Sequence, residues 1–255
     1  MARPRKHHRQ QSFAMFAKPL DKNGQLRGAR KGEKRRGVGR PKQGARASER
    51  HQPRLPMRAN QVAHVILRAS PEVGSLRRPD VFHAIREALI TVARLEDVVR
   101  VVHFSVQATH IHLLVEAVDE RALAKGMKVF GISAAMHING CTRDREGRRR
   151  RGAVFPDRYH VRILQHPRDV RNTLAYVLNN WRHHRADRGR TWKIDPYSSA
   201  ITFDGWKELA YRGGRFVQPP RLVAPLVWEP RTWLARVGWQ RRGAISVYEV
   251  PGGDE

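Results

Sequence analysis

Two histidines at alternate positions, His110 and His112, open an apolar run that ends at Ala117. Farther along the chain, Tyr176 is followed one helical turn later by an amide, Asn180. Imidazoles at i and i+2 of a strand project from one face and can converge on a single divalent metal. The histidine pair therefore suggests a metal site, and a Tyr with an amide one helical turn on invites a functional role. They also fit plainer roles: with 13 His in 255 residues, a His-x-His pair arises by chance, and a Tyr can sit at the rim of an apolar stripe.

The elements that must position these groups follow from periodicity. Ala108-Thr109 separates two β-rich runs, Val99–Gln107 and His110–Ala117, by the length of a tight hairpin turn. Such a turn pairs Gln107 with His110, Ser105 with His112 and Phe104 with Leu113. His110, His112, Ser105 and Gln107 then share one face, while Val102, Phe104, Val106, Ile111, Leu113 and Val115 form the core face beneath the helices. A strand is expected over Gln61–Ala69. A helix is expected over Asp80–Leu95, with Phe82, Ile85, Leu89 and Val92 inward. Asp119 can cap a second helix reaching about Asn139, with Leu123, Met127, Phe130 and Ala134 inward. A fourth strand is expected over Val154–Leu164, and Pro167 opens a third helix extending to about His184. The apolar stripe of that helix is Val170, Leu174, Val177, Leu178 and Trp181. Tyr176 lies about 145° from its centre, on the polar side with Asn172, Asn179, Asn180 and His183. The order β-α-β-β-α-β predicts an α+β, ferredoxin-like antiparallel sheet with two helices on one face and the third helix on the other.

Charge names the partner class. Fifty Lys+Arg against 23 Asp+Glu give a formal net charge of +27. Residues 1–60 hold 18 of the basic residues and three acids, so the surplus is shared between this segment and the rest. Such a chain is built to meet a polyanion, and nucleic acid is the simplest one. Residues 1–58 lack core-forming pattern and read as a basic disordered tail. Within it, positions 35–42 hold a Gly-Arg-Pro core, flanked by Arg35, Arg36, Arg40 and Lys42, that resembles an AT-hook for narrow minor grooves. A charged tail with an accidental Gly-Arg-Pro fits equally. Arg148, Arg149 and Arg150 of the basic loop 143–151, with Arg158, complete the expected DNA contacts. A single Cys, Cys141, excludes an internal disulfide and any CxxC zinc site. No apolar run suits a membrane span or signal peptide, so a soluble, cytoplasmic, nucleoid-associated protein is expected. The catalytic domain is expected over 59–187, followed by a Trp- and Pro-rich extension over 188–255. There Trp228, Trp233 and Trp239, interleaved with Arg231, Arg236, Arg241 and Arg242, serve either base stacking or, more commonly for Trp, buried anchoring.

His110-Ile111-His112 followed by Leu-Leu-Val-Glu resembles the His-hydrophobe-His motif of the HUH endonucleases. The runs 154–160 (VFPDRYH) and 171–180 (RNTLAYVLNN) resemble the remainder of a single-tyrosine transposase domain, in the group of the REP-associated tyrosine transposases. The likeness covers about residues 60–185. It implies that His110, His112 and Asn180 hold a divalent metal, Mg²⁺ or Mn²⁺. It also implies that Tyr176 cleaves single-stranded or hairpin DNA through a 5′-phosphotyrosine intermediate and later rejoins it. Relatives of this kind are monomers or homodimers, and both stay open. Two positions depart from the pattern. Ala108-Thr109 stands where Pro-Asn is frequent, and Trp181 follows Asn180 where Pro is frequent. Without that Pro the helix can continue, which brings His183 and His184 into contention as the third ligand.

Other readings are weaker. A histidine-triad nucleotide hydrolase needs a further His where Leu114 stands, and a zinc deaminase needs cysteines that the chain lacks. The remaining alternative is a catalytically inactive, transposase-derived DNA-binding protein, a repressor or an architectural factor.

Overall fold

The computed structural model describes residues 55–144, 146–209 and 227–250, all within one compact unit, Ser48–Glu255. Arg35, Arg36, Arg40 and Lys42 lie outside the described residues. The elements are β1 (Val62–Arg68), α1 (Pro79–Ala93), β2 (Val99–Val106), β3 (His110–Ala117), α2 (Glu120–Cys141), β4 (His160–Leu164), α3 (Pro167–His183) and α4 (Trp233–Arg236). The strands form one antiparallel sheet in the order β2-β3-β1-β4. This is the α+β, ferredoxin-like arrangement that the periodicity predicts.

Local signals explain where the elements start. Pro79 and Pro167 occupy the first turns of α1 and α3, where the missing N–H costs no helical bond. Asp119 caps α2 by accepting from the Ala122 amide at 2.7 Å. Gly126 lets α2 press against β2, since a Cβ there would meet Val99 Cγ1 at 2.8 Å.

Strand alternation divides the protein into two cores. Ala63, Val65, Leu67, Phe104, Val106, Ile111, Leu113 and Val115 face α1 and α2. Val62, Val102, Leu114 and Leu164 face α3 and the C-terminal segment, where Ile194, Trp206, Trp239, Ile245 and Val247 are buried. The α3 stripe (Val170, Leu174, Val177, Leu178, Trp181) is wholly buried in this second core, each large side chain worth roughly 1.5–3 kcal/mol.

Two expectations are corrected. Val102 does not share the α1/α2 face. The β2–β3 register slips between Val101 and His103, and this bulge turns Val102 toward α3 while Val101 takes its place in the first core. β4 begins at His160 rather than Val154. Pro156 has no N–H for a ladder, and Val154 is buried in the first core with its carbonyl accepting from the Ser70 amide at 2.8 Å. That segment is a strap, not a strand.

Among the described residues, no helix is long and apolar enough to cross a membrane. Trp206 and Trp239 are buried anchors. Trp233 is half-exposed, with the Arg241 guanidinium 4.9 Å from its ring centroid.

Candidate functional site: histidines and a tyrosine between the sheet and helix α3

The site is built from adjacent strands and one helix. Because Ala63, Val65 and Leu67 point to the first core, His64 must point to α3. β1 pairs with β3 so that Ile66 opposes His112 and Arg68 opposes His110, which makes His64 the diagonal neighbour of His112. The His64 and His112 rings stack at 5.2 Å, with His64 Nε2 3.1 Å from His112 Nδ1. The His110 ring stands edge-on to His112 at 4.7 Å.

Helix α3 closes over these rings. Tyr176 stands edge-on to His112 at 5.2 Å and to His64 at 6.1 Å. His184 stands against His110 at 5.4 Å. The His184 amide donates to the Asn180 carbonyl at 3.2 Å, so helical spacing persists through the end of α3. Tyr176, Asn180 and His184 therefore form one line at i, i+4 and i+8. One end of that line rests on His112 and the other on His110, with Asn180 midway between them along the helix.

The polar side expected for α3 is covered in part: Asn172 and His183 are exposed and Tyr176 is half-buried. Asn179 and Asn180 are both fully buried, because the C-terminal segment packs along the helix. Asn179 Nδ2 donates to the Ser246 carbonyl at 2.9 Å, which gives that amide an anchoring role apart from the tyrosine. Asn179 Oδ1 is left without a partner, but Asn180 has none for either its Oδ1 or its Nδ2, and His112 Nε2 has none as well. Stranding such groups costs roughly 1–3 kcal/mol each. Three of them beside one tyrosine fit a place kept for a ligand. Two imidazoles and an amide suit a divalent metal with mixed N/O preference. Among the described residues, no three His, Cys, Asp or Glu side chains are placed to hold a metal ion. His184 and Asn180 both lie along α3 beside the strand histidines, and the His183 side chain is exposed.

The site is electrostatically neutral at its centre. Burial, with help from His64, His110 and His184, pushes His112 down to about 2. Burial, then His160 and Arg162, lowers His64 to about 4. Burial, then His184 and Arg68, lowers His110 to about 4. All three offer uncharged nitrogens at neutral pH, the form that binds metal.

These shifts make acid destabilising. His103, buried against Ser199 and Phe203, is likewise lowered to about 4 by burial. Each of these imidazoles binds a proton more weakly folded than unfolded. Their stability contribution is complete above about pH 6.5 and is lost as pH falls from there toward 4. Between pH 7 and 5, a buried histidine such as His103 should cost roughly 2 kcal/mol. Urea unfolding of metal-free protein at the two pH values measures this, and a change below about 1 kcal/mol would reject it.

The expected basic contacts are dispersed. Arg148 is exposed and paired with Asp144 and Glu146 at 3.2 and 3.0 Å. Arg149 is exposed beside Gly140, at the end of α2. Arg150 is buried, donating to Asn139 Oδ1 and, at 2.9 Å, to the Ala153 carbonyl. Their loop follows α2, so it belongs to the layer across the sheet from the histidines. Arg158 is half-buried just before β4. His64 is the site residue that sequence reasoning missed, although alternation within β1 carried the signal.

No family model and no curated protein matches the chain. Among the solved structures that resemble it are two transposases. One is a REP-associated tyrosine transposase bound to a REP hairpin, 15% identical, at a TM-score of 0.42 over 72% of this chain and 96% of that one. The other is a candidate transposase from Deinococcus radiodurans, 12% identical, at a TM-score of 0.34 over 47% of this chain and 87% of that one. At such similarity, function rests on the site's own geometry.

Proposed function

We propose that this chain cleaves and rejoins single-stranded or hairpin DNA, with Tyr176 as nucleophile and His110, His112 and Asn180 as ligands for Mg²⁺ or Mn²⁺. The observation that carries the reading is the line Tyr176–Asn180–His184 laid over the two strand histidines, with Asn180 and His112 Nε2 buried and unpartnered. When bound, the metal polarises the scissile phosphate and offsets the charge of in-line attack. Uncharged imidazoles and an amide bring no negative charge against that phosphate. Tyr176 Oη forms a bond to phosphorus as the bond from phosphorus to the 3′ oxygen breaks. The phenolic proton leaves to solvent and the 3′ oxygen takes one up, giving a 5′-phosphotyrosine and a free 3′-OH. Attack by a 3′-OH on the phosphotyrosine reverses the step and restores the phenol.

The test is direct. Protein mixed with labelled hairpin DNA and Mn²⁺ should yield a denaturant-resistant protein–DNA band, and mass spectrometry of the digest should place the nucleotide on Tyr176. An adduct on another tyrosine overturns the assignment. No adduct with either metal favours a DNA-binding protein without strand-transfer activity.

Phosphate contacts are assigned to the basic surplus, with Arg35, Arg36, Arg40 and Lys42 in the N-terminal segment and Arg148, Arg149 and Arg158 in the folded part. Arg150 acts there through the shape of its loop. Removing residues 1–54 should weaken DNA binding and lower the slope of log K against log salt by about 0.7 for each lost contact to single-stranded DNA. Cleavage at saturating protein should persist. Binding titrations from 50 to 200 mM salt decide this, and an unchanged slope would remove the N-terminal segment from the interface.

A further inference from the structure

His64 has no part in the reaction as proposed, yet it is buried and its ring nitrogen points at a proposed ligand. We propose that His64 is a positioning residue that sets the tautomer of His112, accepting a hydrogen bond from His112 Nδ1–H so that Nε2 is left bare for the metal. This rests on the metal-site reading above and deepens it.

Proton placement decides which ring donates. A single proton lies between His64 Nε2 and His112 Nδ1, 3.1 Å apart. If His64 donates it, the neutral His112 ring must carry its own proton on Nε2. That atom is buried and has no acceptor, so this arrangement strands an N–H donor. If His112 donates, Nε2 keeps only a lone pair, and nothing is stranded once a cation occupies the site. Metal-binding histidines are oriented in this way by a partner on the far ring nitrogen, commonly a carboxylate or a carbonyl. Here an imidazole fills that place. It orients His112 without adding negative charge where a phosphate must approach.

The backbone supports the assignment. Antiparallel pairing of β1 with β3 holds the two residues on one face. The near-parallel stack, 26° between ring planes, restricts rotation of His112. Tyr176 packs in T-shaped contact with both rings. His64 thus sits behind the ligand, on the side away from His110.

Two variants separate tautomer control from simple packing. His64→Gln keeps a carbonyl oxygen able to accept from His112 Nδ1, and His64→Leu fills similar space with no acceptor. Long-range ¹H–¹⁵N NMR of the metal-free protein should show His112 protonated on Nδ1 in the wild type and in His64→Gln. Mn²⁺ binding followed by electron paramagnetic resonance should weaken about 10- to 100-fold in His64→Leu and stay within about threefold of wild type in His64→Gln. Cleavage by His64→Leu should recover as Mn²⁺ is raised. Protonation of wild-type His112 on Nε2 would overturn the proposal, as would wild-type Mn²⁺ affinity in His64→Leu. If His64→Leu fails to fold, the wild-type NMR spectrum and His64→Gln decide. Metal binding that depends on His64 without any DNA cleavage removes only the cleavage reading, whereas a wild type that binds no Mn²⁺ removes both.

Discussion

Tyr176→Phe should abolish strand cleavage and the covalent adduct together, by roughly 10³-fold or more, while the protein stays folded and bound to DNA. The ring of Tyr176 makes its contacts with His112 and His64 through its edge and face, and Phe preserves both. Only the hydroxyl is lost, so the stability change should stay within about 0.5 kcal/mol. The other described tyrosines stand elsewhere. Tyr159 and Tyr197 pack on the first core, and Tyr248 is exposed near Arg182. Cleavage of a labelled hairpin by the variant, compared with its affinity by fluorescence anisotropy, checks the split. Cleavage within tenfold of wild type would remove Tyr176 from the chemistry. Loss of DNA affinity in parallel would make it a binding residue instead.

What could be read from residues alone was what local periodicity controls. The two-residue gap Ala108-Thr109 and strict alternation in β3 place His110 and His112 on one face. The helical spacing of Val170, Leu174, Val177, Leu178 and Trp181 marks the buried stripe of α3. Helix α3 does run past Asn180, as the absence of proline at Trp181 suggests. The features that escaped depend on partners distant in sequence. The bulge at Val102 answers to packing against α3, so alternation alone mis-assigns it. Burial of Asn179 needs Ser246, 67 residues away. His64 was legible in principle, since Ala63, Val65 and Leu67 claim the opposite face. Its significance appears only when the order β2-β3-β1-β4 sets β1 beside β3.

Helix α3 is held in place from its far side, and this makes a carboxylate outside the reactive cluster important to it. Glu116, next to last in the run His110–Ala117, is charged yet fully buried. Its Oε1 accepts from the Thr232 amide at 2.9 Å and from the Thr232 hydroxyl at 2.7 Å. Its Oε2 accepts from the Arg231 amide and from the Arg100 guanidinium, both at 2.9 Å. Glu116 thereby fastens the start of α4 to β3 and β2, and α4 with Trp239, Ile245 and Val247 covers α3. Glu116→Ala would leave a largely buried Arg100 without its counter-ion and two amides and a hydroxyl without an acceptor. Breaking a buried pair from one side costs about 3–5 kcal/mol, so this substitution should be among the most destabilising single changes in the protein. Because α3 carries Tyr176 and Asn180, the loss should reach the site: trypsin should cut the C-terminal segment sooner than the sheet. Mn²⁺ affinity should fall even under conditions where far-ultraviolet circular dichroism is unchanged. Urea unfolding gives the stability term and limited proteolysis the location. A loss under about 1 kcal/mol, or a C-terminal segment as protease-resistant as in the wild type, would show that α3 is held by the apolar contacts alone.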